Sequence, residues 1–134
     1  MKVTLDTNVL VRLATQDDPE QASLALEVLK QATLIAVPNT ALCELVWVLL
    51  RGYRYTPEQV VYAVRTLMQV RQVVCNTPAV LAGLAMLENG GDFADGVIAF
   101  EGELLGGREF VTFDQQAAKL LKAQKRKPRL LKTK

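Results

Sequence analysis

Short apolar segments alternate with segments that open like helices, and no other feature constrains the fold of this chain as tightly. Lys2-Val3-Thr4-Leu5, Leu34-Ile35-Ala36-Val37, Gln72-Val73-Val74-Cys75 and Glu109-Phe110-Val111-Thr112 have the length and composition of strands. Between them, Asp18-Pro19-Glu20-Gln21 and Thr56-Pro57-Glu58-Gln59 each place an N-cap residue before proline, with Gln three on from the cap. Further helices open near Asn8, ahead of Glu44, at Thr77-Pro78, at Asp92 and at Gln115, and Arg129-Leu130-Leu131 supplies a short fifth strand. Strands that alternate with helices pair in parallel, so the pattern predicts an α/β fold with a mainly parallel sheet of four to five strands. No repeat or long linker divides the chain, and its 134 residues are read as one domain, 1–134.

One carboxylate interrupts the run Ala41-Leu42-Cys43-Glu44-Leu45-Val46-Trp47-Val48-Leu49-Leu50. A helix that is apolar all round is expected to be buried, and a buried carboxylate needs a compensating charge. The helical neighbours of Glu44, namely Thr40, Ala41, Trp47 and Val48, are not basic. A distant Arg or Lys, or a metal ion, is therefore required.

Composition narrows the choice. Half the residues are apolar and 22% are charged, which excludes a disordered chain. The slightly positive mean hydropathy points to an apolar patch covered by another chain. No apolar stretch approaches the ~20 residues of a membrane span, and no leader pattern precedes Asp6, so a cytoplasmic location is expected. Cys43 and Cys75 sit in apolar settings without paired spacing and read as buried thiols. Histidine is absent, which removes imidazole-based nucleophilic schemes and most zinc sites. A metal in this chain would take oxygen ligands, as Mg²⁺ or Mn²⁺ do.

The net charge of +2 conceals an asymmetry. From Lys119 the chain becomes a basic tail: Lys119, Lys122, Lys125, Arg126, Lys127, Arg129, Lys132 and Lys134. These are half of the 16 basic residues, so eight remain against all 14 acids in the preceding 118 residues. Such a tail suits a phosphate backbone or a solvated terminus. It contains no aromatic residue, so base stacking is not expected from it.

Ligands of open α/β sheets bind beyond the carboxyl ends of the strands. Asp6 follows the first strand, Asp114 follows the fourth, and Glu44 lies one turn into the helix after the second. Asp95 lies in the first turn of the helix before the fourth strand, with Asp92 one turn earlier. Each has an ordinary alternative. Asp6 and Asp114 can cap helices, Asp92 and Asp95 can favour a helix N-terminus, and Glu44 can pair at long range. Yet none of Glu44, Asp95 and Asp114 has a Lys or Arg three or four positions away, and Asp6 has only Lys2, across a strand pattern rather than along a helix, whereas Glu27 has Lys30 and reads as a surface pair. Carboxylates gathered together repel and take up protons unless a cation joins them.

Asp6-Thr7-Asn8-Val9, Glu44-Leu45, Asp92-Phe93-Ala94-Asp95-Gly96-Val97-Ile98-Ala99 and Thr112-Phe113-Asp114, in this order, resemble PIN-domain ribonucleases, and with the chain length they resemble VapC-type toxins of toxin–antitoxin pairs. The resemblance implies a three-layer α/β/α sandwich. It also implies an endoribonuclease dependent on Mg²⁺ or Mn²⁺, with Asp6, Glu44, Asp95 and Asp114 as catalytic metal ligands and Asp92 as an outer member. Thr7, Asn8 and Thr112 match supporting positions. RNA is the implied substrate, and a homodimer and a protein antitoxin are the implied partners. Gly96 departs from the pattern, where Ala is common, and a helical Gly costs ~1 kcal/mol relative to Ala, which predicts a locally loosened helix. Two rivals are a non-catalytic RNA-binding or adaptor module on the same fold, and an aspartyl-nucleophile phosphatase. Asn8, in place of that enzyme's second Asp, opposes the phosphatase.

Overall fold

The computed structural model describes residues 1–133; Lys134, the last cation of the basic tail, lies outside the described residues. Contacts divide the chain into two compact units, Met1–Asn76 and Thr77–Lys134.

The first unit runs β1 (Lys2–Thr4), α1 (Thr7–Thr15), α2 (Pro19–Gln31), β2 (Leu34–Ala36), α3 (Asn39–Arg51), α4 (Pro57–Met68) and β3 (Val73–Val74). The strands are parallel in the order β1-β2-β3, with Val3 opposite Ile35 and Ile35 opposite Val73. Both proline-marked starts form as their residues dictate. Asp18 accepts from the Gln21 N–H at 3.1 Å. Thr56 and Gln59 exchange side-chain and backbone bonds at 2.8 and 3.1 Å, a complete capping box. Leu10, Ile35, Leu42, Leu45, Leu49, Val60 and Val64 fill the core of this unit.

A polar clamp ties α1 to the start of α2 and to the loop after α3. The Arg12 guanidinium donates to Asp17 at 2.9 Å, to the Tyr53 hydroxyl at 3.1 Å and to Gln21 at 2.7 Å. The Tyr53 hydroxyl in turn donates to Asp17 at 2.7 Å. Hydrogen bonds from Tyr53 and Thr15, with Arg12 nearby, hold the Asp17 carboxyl below its ordinary range. Glu27 is not paired with Lys30, as the spacing predicts. Its carboxylate accepts from Gln31, four residues on, at 3.2 Å.

The second unit runs α5 (Thr77–Glu88), α6 (Phe93–Leu104), β4 (Phe110–Thr112), α7 (Gln115–Ala123) and β5 (Pro128–Leu130). β4 and β5 pair in parallel, Phe110 opposite Pro128 and Thr112 opposite Leu130. The chain is thus α/β with parallel strands, its ladders holding three strands in one unit and two in the other.

Gly96 corrects the expectation of a loosened helix. It is buried, and a Cβ there would fall 2.3 Å from the Ala82 carbonyl oxygen and 2.8 Å from the Gly83 Cα. Across the same contact, a Cβ at Gly83 would strike the Phe93 ring at 2.7 Å. The missing side chains let α5 and α6 touch backbone to backbone. Met86, Ala99, Ala117 and Leu121 form a buried cluster, with Phe110 and Leu120 packed against it.

Cys43 and Cys75 are thiols, half-buried rather than buried. No helix among the described residues is long and apolar enough to cross a membrane.

Candidate active site

Glu44 is exposed, which overturns the premise that its helix is buried all round. The 3.6-residue period explains the outcome. Ala41, Leu42, Leu45, Val46 and Leu49 share one buried stripe of α3, while Glu44 and Trp47 lie on the opposite side, Trp47 63% exposed. No polar or charged residue is buried among the described residues. The carboxylate therefore pays no large desolvation cost and needs no buried partner.

Two parallel strands place acidic groups at one edge of the first unit. Asp6 follows β1 in the N-cap position of α1, with extended backbone (φ −73°, ψ 156°), yet its side chain makes no capping bond. The ordinary use of an Asp in that position is thus unspent, and the carboxylate is exposed. Beside it, the Thr7 hydroxyl donates to Glu44 Oε2 at 3.3 Å, joining α1 to α3. Thr7, which the resemblance implies as a supporting position, thus bonds one carboxylate of the set. Asn8 is exposed.

The second unit gathers the other three. Asp92 caps α6, accepting from the Ala94 N–H at 2.8 Å through Oδ1. Asp114 caps α7, accepting from Gln116 and Ala117 at 2.9 and 3.1 Å, again through Oδ1. The capping reading is therefore correct for Asp114, Asp92 goes beyond favouring its helix N-terminus to cap it, and each leaves Oδ2 unspent. Thr112 shapes this turn, its hydroxyl accepting from the Asp114 N–H at 3.0 Å. Asp95, in the first turn of α6, is half-buried. Its carboxyl is pushed above the ordinary value, first by burial and then by the negative charges of Asp92 and Asp114. No cation offsets them among the described ion pairs.

The structure thus joins Glu44 to Thr7 and crowds Asp95 with Asp92 and Asp114. Within neither unit do three Asp, Glu, Cys or His side chains of the described residues gather closely enough to ligate an ion. The donors are all hard oxygens, and the crowding at Asp95 is of the kind a divalent cation relieves, so the residues present fit Mg²⁺ or Mn²⁺ in chemistry.

A family model of the PIN domain matches residues 3–122. The chain belongs to the PIN domain family. PIN domains are a nuclease-type fold, generally hydrolases that use divalent metals. The match begins at β1 and ends in α7, so it takes in all of Asp6, Glu44, Asp92, Asp95 and Asp114. No curated protein matches the chain.

One residue of this PIN domain stands out beyond the acidic set. Phe113, immediately before Asp114, is 68% exposed. The signal was the alternation along β4, where Val111 also faces outward while Phe110 and Thr112 are half-buried. The tail also divides in a way that charge counting did not predict. Arg126 pairs with Glu103, and Arg129 with Glu109, so those two arginines are already engaged.

Proposed function

We propose that this PIN domain is an endoribonuclease dependent on Mg²⁺ or Mn²⁺, and the toxin of a VapC-type toxin–antitoxin pair. The observation that carries the reading is Asp95, half-buried between two like charges with no cation to relieve them. A purely structural carboxylate in that position is a liability; a ligand is not.

Asp6 and Asp95, with one of Glu44 and Asp114, would hold the ion, and Asp92 would stand outside them. When bound, it supplies Lewis-acid polarisation of the phosphodiester and neutralises the crowded acids. The chain's own groups do the rest. Thr7 fixes the Glu44 carboxylate by its hydroxyl bond, and Thr112 fixes the turn that presents Asp114. A carboxylate left uncoordinated, Glu44 or Asp114, orients the attacking water and accepts its proton. In-line attack leaves 5′-phosphate and 3′-hydroxyl ends. The same proposal treats the two units as one PIN-like domain with an α/β/α sandwich, supported by the single family match that spans both.

Cleavage of single-stranded RNA by the purified protein in Mg²⁺, abolished by EDTA and by each of Asp6→Asn, Glu44→Gln, Asp95→Asn and Asp114→Asn, is the expected result. Equal cleavage in excess EDTA overturns the metal scheme. RNA that is bound without metal and left intact assigns the chain to the rival class, a binding module.

We also propose a cytoplasmic homodimer that binds a protein antitoxin. Support comes from an apolar groove of about 560 Å³ in the first unit, lined by Leu10, Leu26, Leu45, Tyr55, Tyr62 and Leu67 among others. Leu26 and Tyr62 are exposed there, and Trp47 and Leu24 are exposed nearby in sequence. Tyr53 stands apart from this surface, because its hydroxyl is bonded within the Arg12–Asp17 clamp.

A further inference from the structure

The cations from Lys119 onward divide by residue type. Arg126 Nη1 lies 2.5 Å from Glu103, and Arg129 grips Glu109 through Nε and Nη2 at 3.2 and 2.6 Å. Lys119, Lys122 and Lys132 are exposed and stand outside the described ion pairs. Their positions relate them to Asp114. α7, capped by Asp114, buries Ala117, Ala118 and Leu121, which leaves exposed Lys119 opposite that stripe and exposed Lys122 on its flank. At 1.5 Å per residue they stand ~7 and ~12 Å along the axis from Asp114. Lys132 reaches Asp114 by another route. Thr112 is opposite Leu130 in the parallel ladder, and the Leu131 N–H donates to the Thr112 oxygen at 2.7 Å. Asp114 and Lys132 are therefore register equivalents, each two residues past the ladder at the same carboxyl edge, on strands ~5 Å apart. Between Thr112 and Asp114, Phe113 offers an aromatic ring 68% exposed.

We propose that Lys119, Lys122, Lys132 and Phe113 form the seat for single-stranded RNA beside Asp114. The lysines hold successive phosphates and Phe113 stacks a base. This rests on the endoribonuclease reading and adds which residues of this chain hold the strand. Lysines act as point charges on phosphates without reading sequence, and an exposed ring accepts any base that is already unstacked. A duplex offers the phosphates but keeps its bases stacked.

The test measures binding of a fluorescent single-stranded RNA by anisotropy across a salt series, in EDTA, so that cleavage plays no part. In K119Q/K122Q/K132Q the slope of log affinity against log salt should shrink by about 2, at roughly 0.7 per lost phosphate contact. F113A should lose roughly 5- to 150-fold in affinity with the slope unchanged, and should not weaken binding to a duplex of the same sequence. R129Q, which removes a cation already paired with Glu109, should leave the slope alone. An unchanged slope in the triple lysine variant, or unchanged affinity in F113A, overturns the seat. So does a change in particle mass on F113A without loss of RNA affinity, which would assign the ring to a protein contact. Because EDTA is present throughout, these outcomes are independent of whether the protein cleaves, and the metal-dependence experiment tests that separately.

Discussion

At the scale of single residues, Asp95 and Gly96 are neighbours with opposite demands. The raised pKa of Asp95 means that the folded protein holds its proton more tightly than the unfolded chain does. That preference stabilises the fold at acidic pH and is lost as pH rises through the raised value, so the ionised carboxyl is a burden at neutral pH. Asp95→Asn, neutral throughout, should therefore raise the melting temperature of the metal-free protein at pH 7. The gain should vanish below the ordinary carboxyl value of 3.8. A lowered melting temperature at pH 7 would mean that Asp95 serves the fold through a partner. Gly96→Ala should do the reverse of what helix propensity predicts. Alanine favours a helix by ~1 kcal/mol, but the new methyl meets backbone oxygen at 2.3 Å, and overpacking of this kind costs roughly 1–3 kcal/mol. Denaturant unfolding should show a net loss of stability. The gathering of carboxylates around Asp95 follows from their places in the sequence, but the half-burial of Asp95 and the contact at Gly96 were not legible there. An Asp in a first helical turn and a Gly in a helix look the same whatever packs against them.

At the scale of elements, the helix starts were read correctly because their causes are local. Asp18 and Thr56 satisfy backbone donors within three residues, so the motif and the bond are one object. The strands were read correctly in position and were shorter than their apolar runs, two or three residues of ladder each. α3 was misread because composition was taken for periodicity. Eight of the ten residues from Ala41 to Leu50 are aliphatic or Trp, yet one stripe is buried and Trp47 and Glu44 are not. The tail was misread in the other direction, as eight equivalent cations, when Glu103 and Glu109 lie far enough back in the chain to escape any local spacing rule.

At the scale of the whole molecule, the proposed homodimer makes the groove and the exposed aromatic residues a matter of assembly. A Leu26→Glu/Tyr62→Glu variant should be monomeric by light scattering where the unmodified protein is a dimer. Each unit should keep its fold, because neither residue is in the core and both are exposed. A dimer that survives the double change would place the interface elsewhere.

The sequence by itself determined the α/β class, the order of the elements, the helix caps, and membership of the PIN domain family, because these depend on residue types at short or fixed separations. Tertiary structure alone decided that Asp6 leaves its cap unmade, that Asp95 is half-buried, that Gly96 is a point of contact, and that the arginines of the tail are already engaged. Each of those outcomes turns on distances between groups far apart along the chain. Charge, burial and close approach act through space, and spacing along a sequence does not encode them.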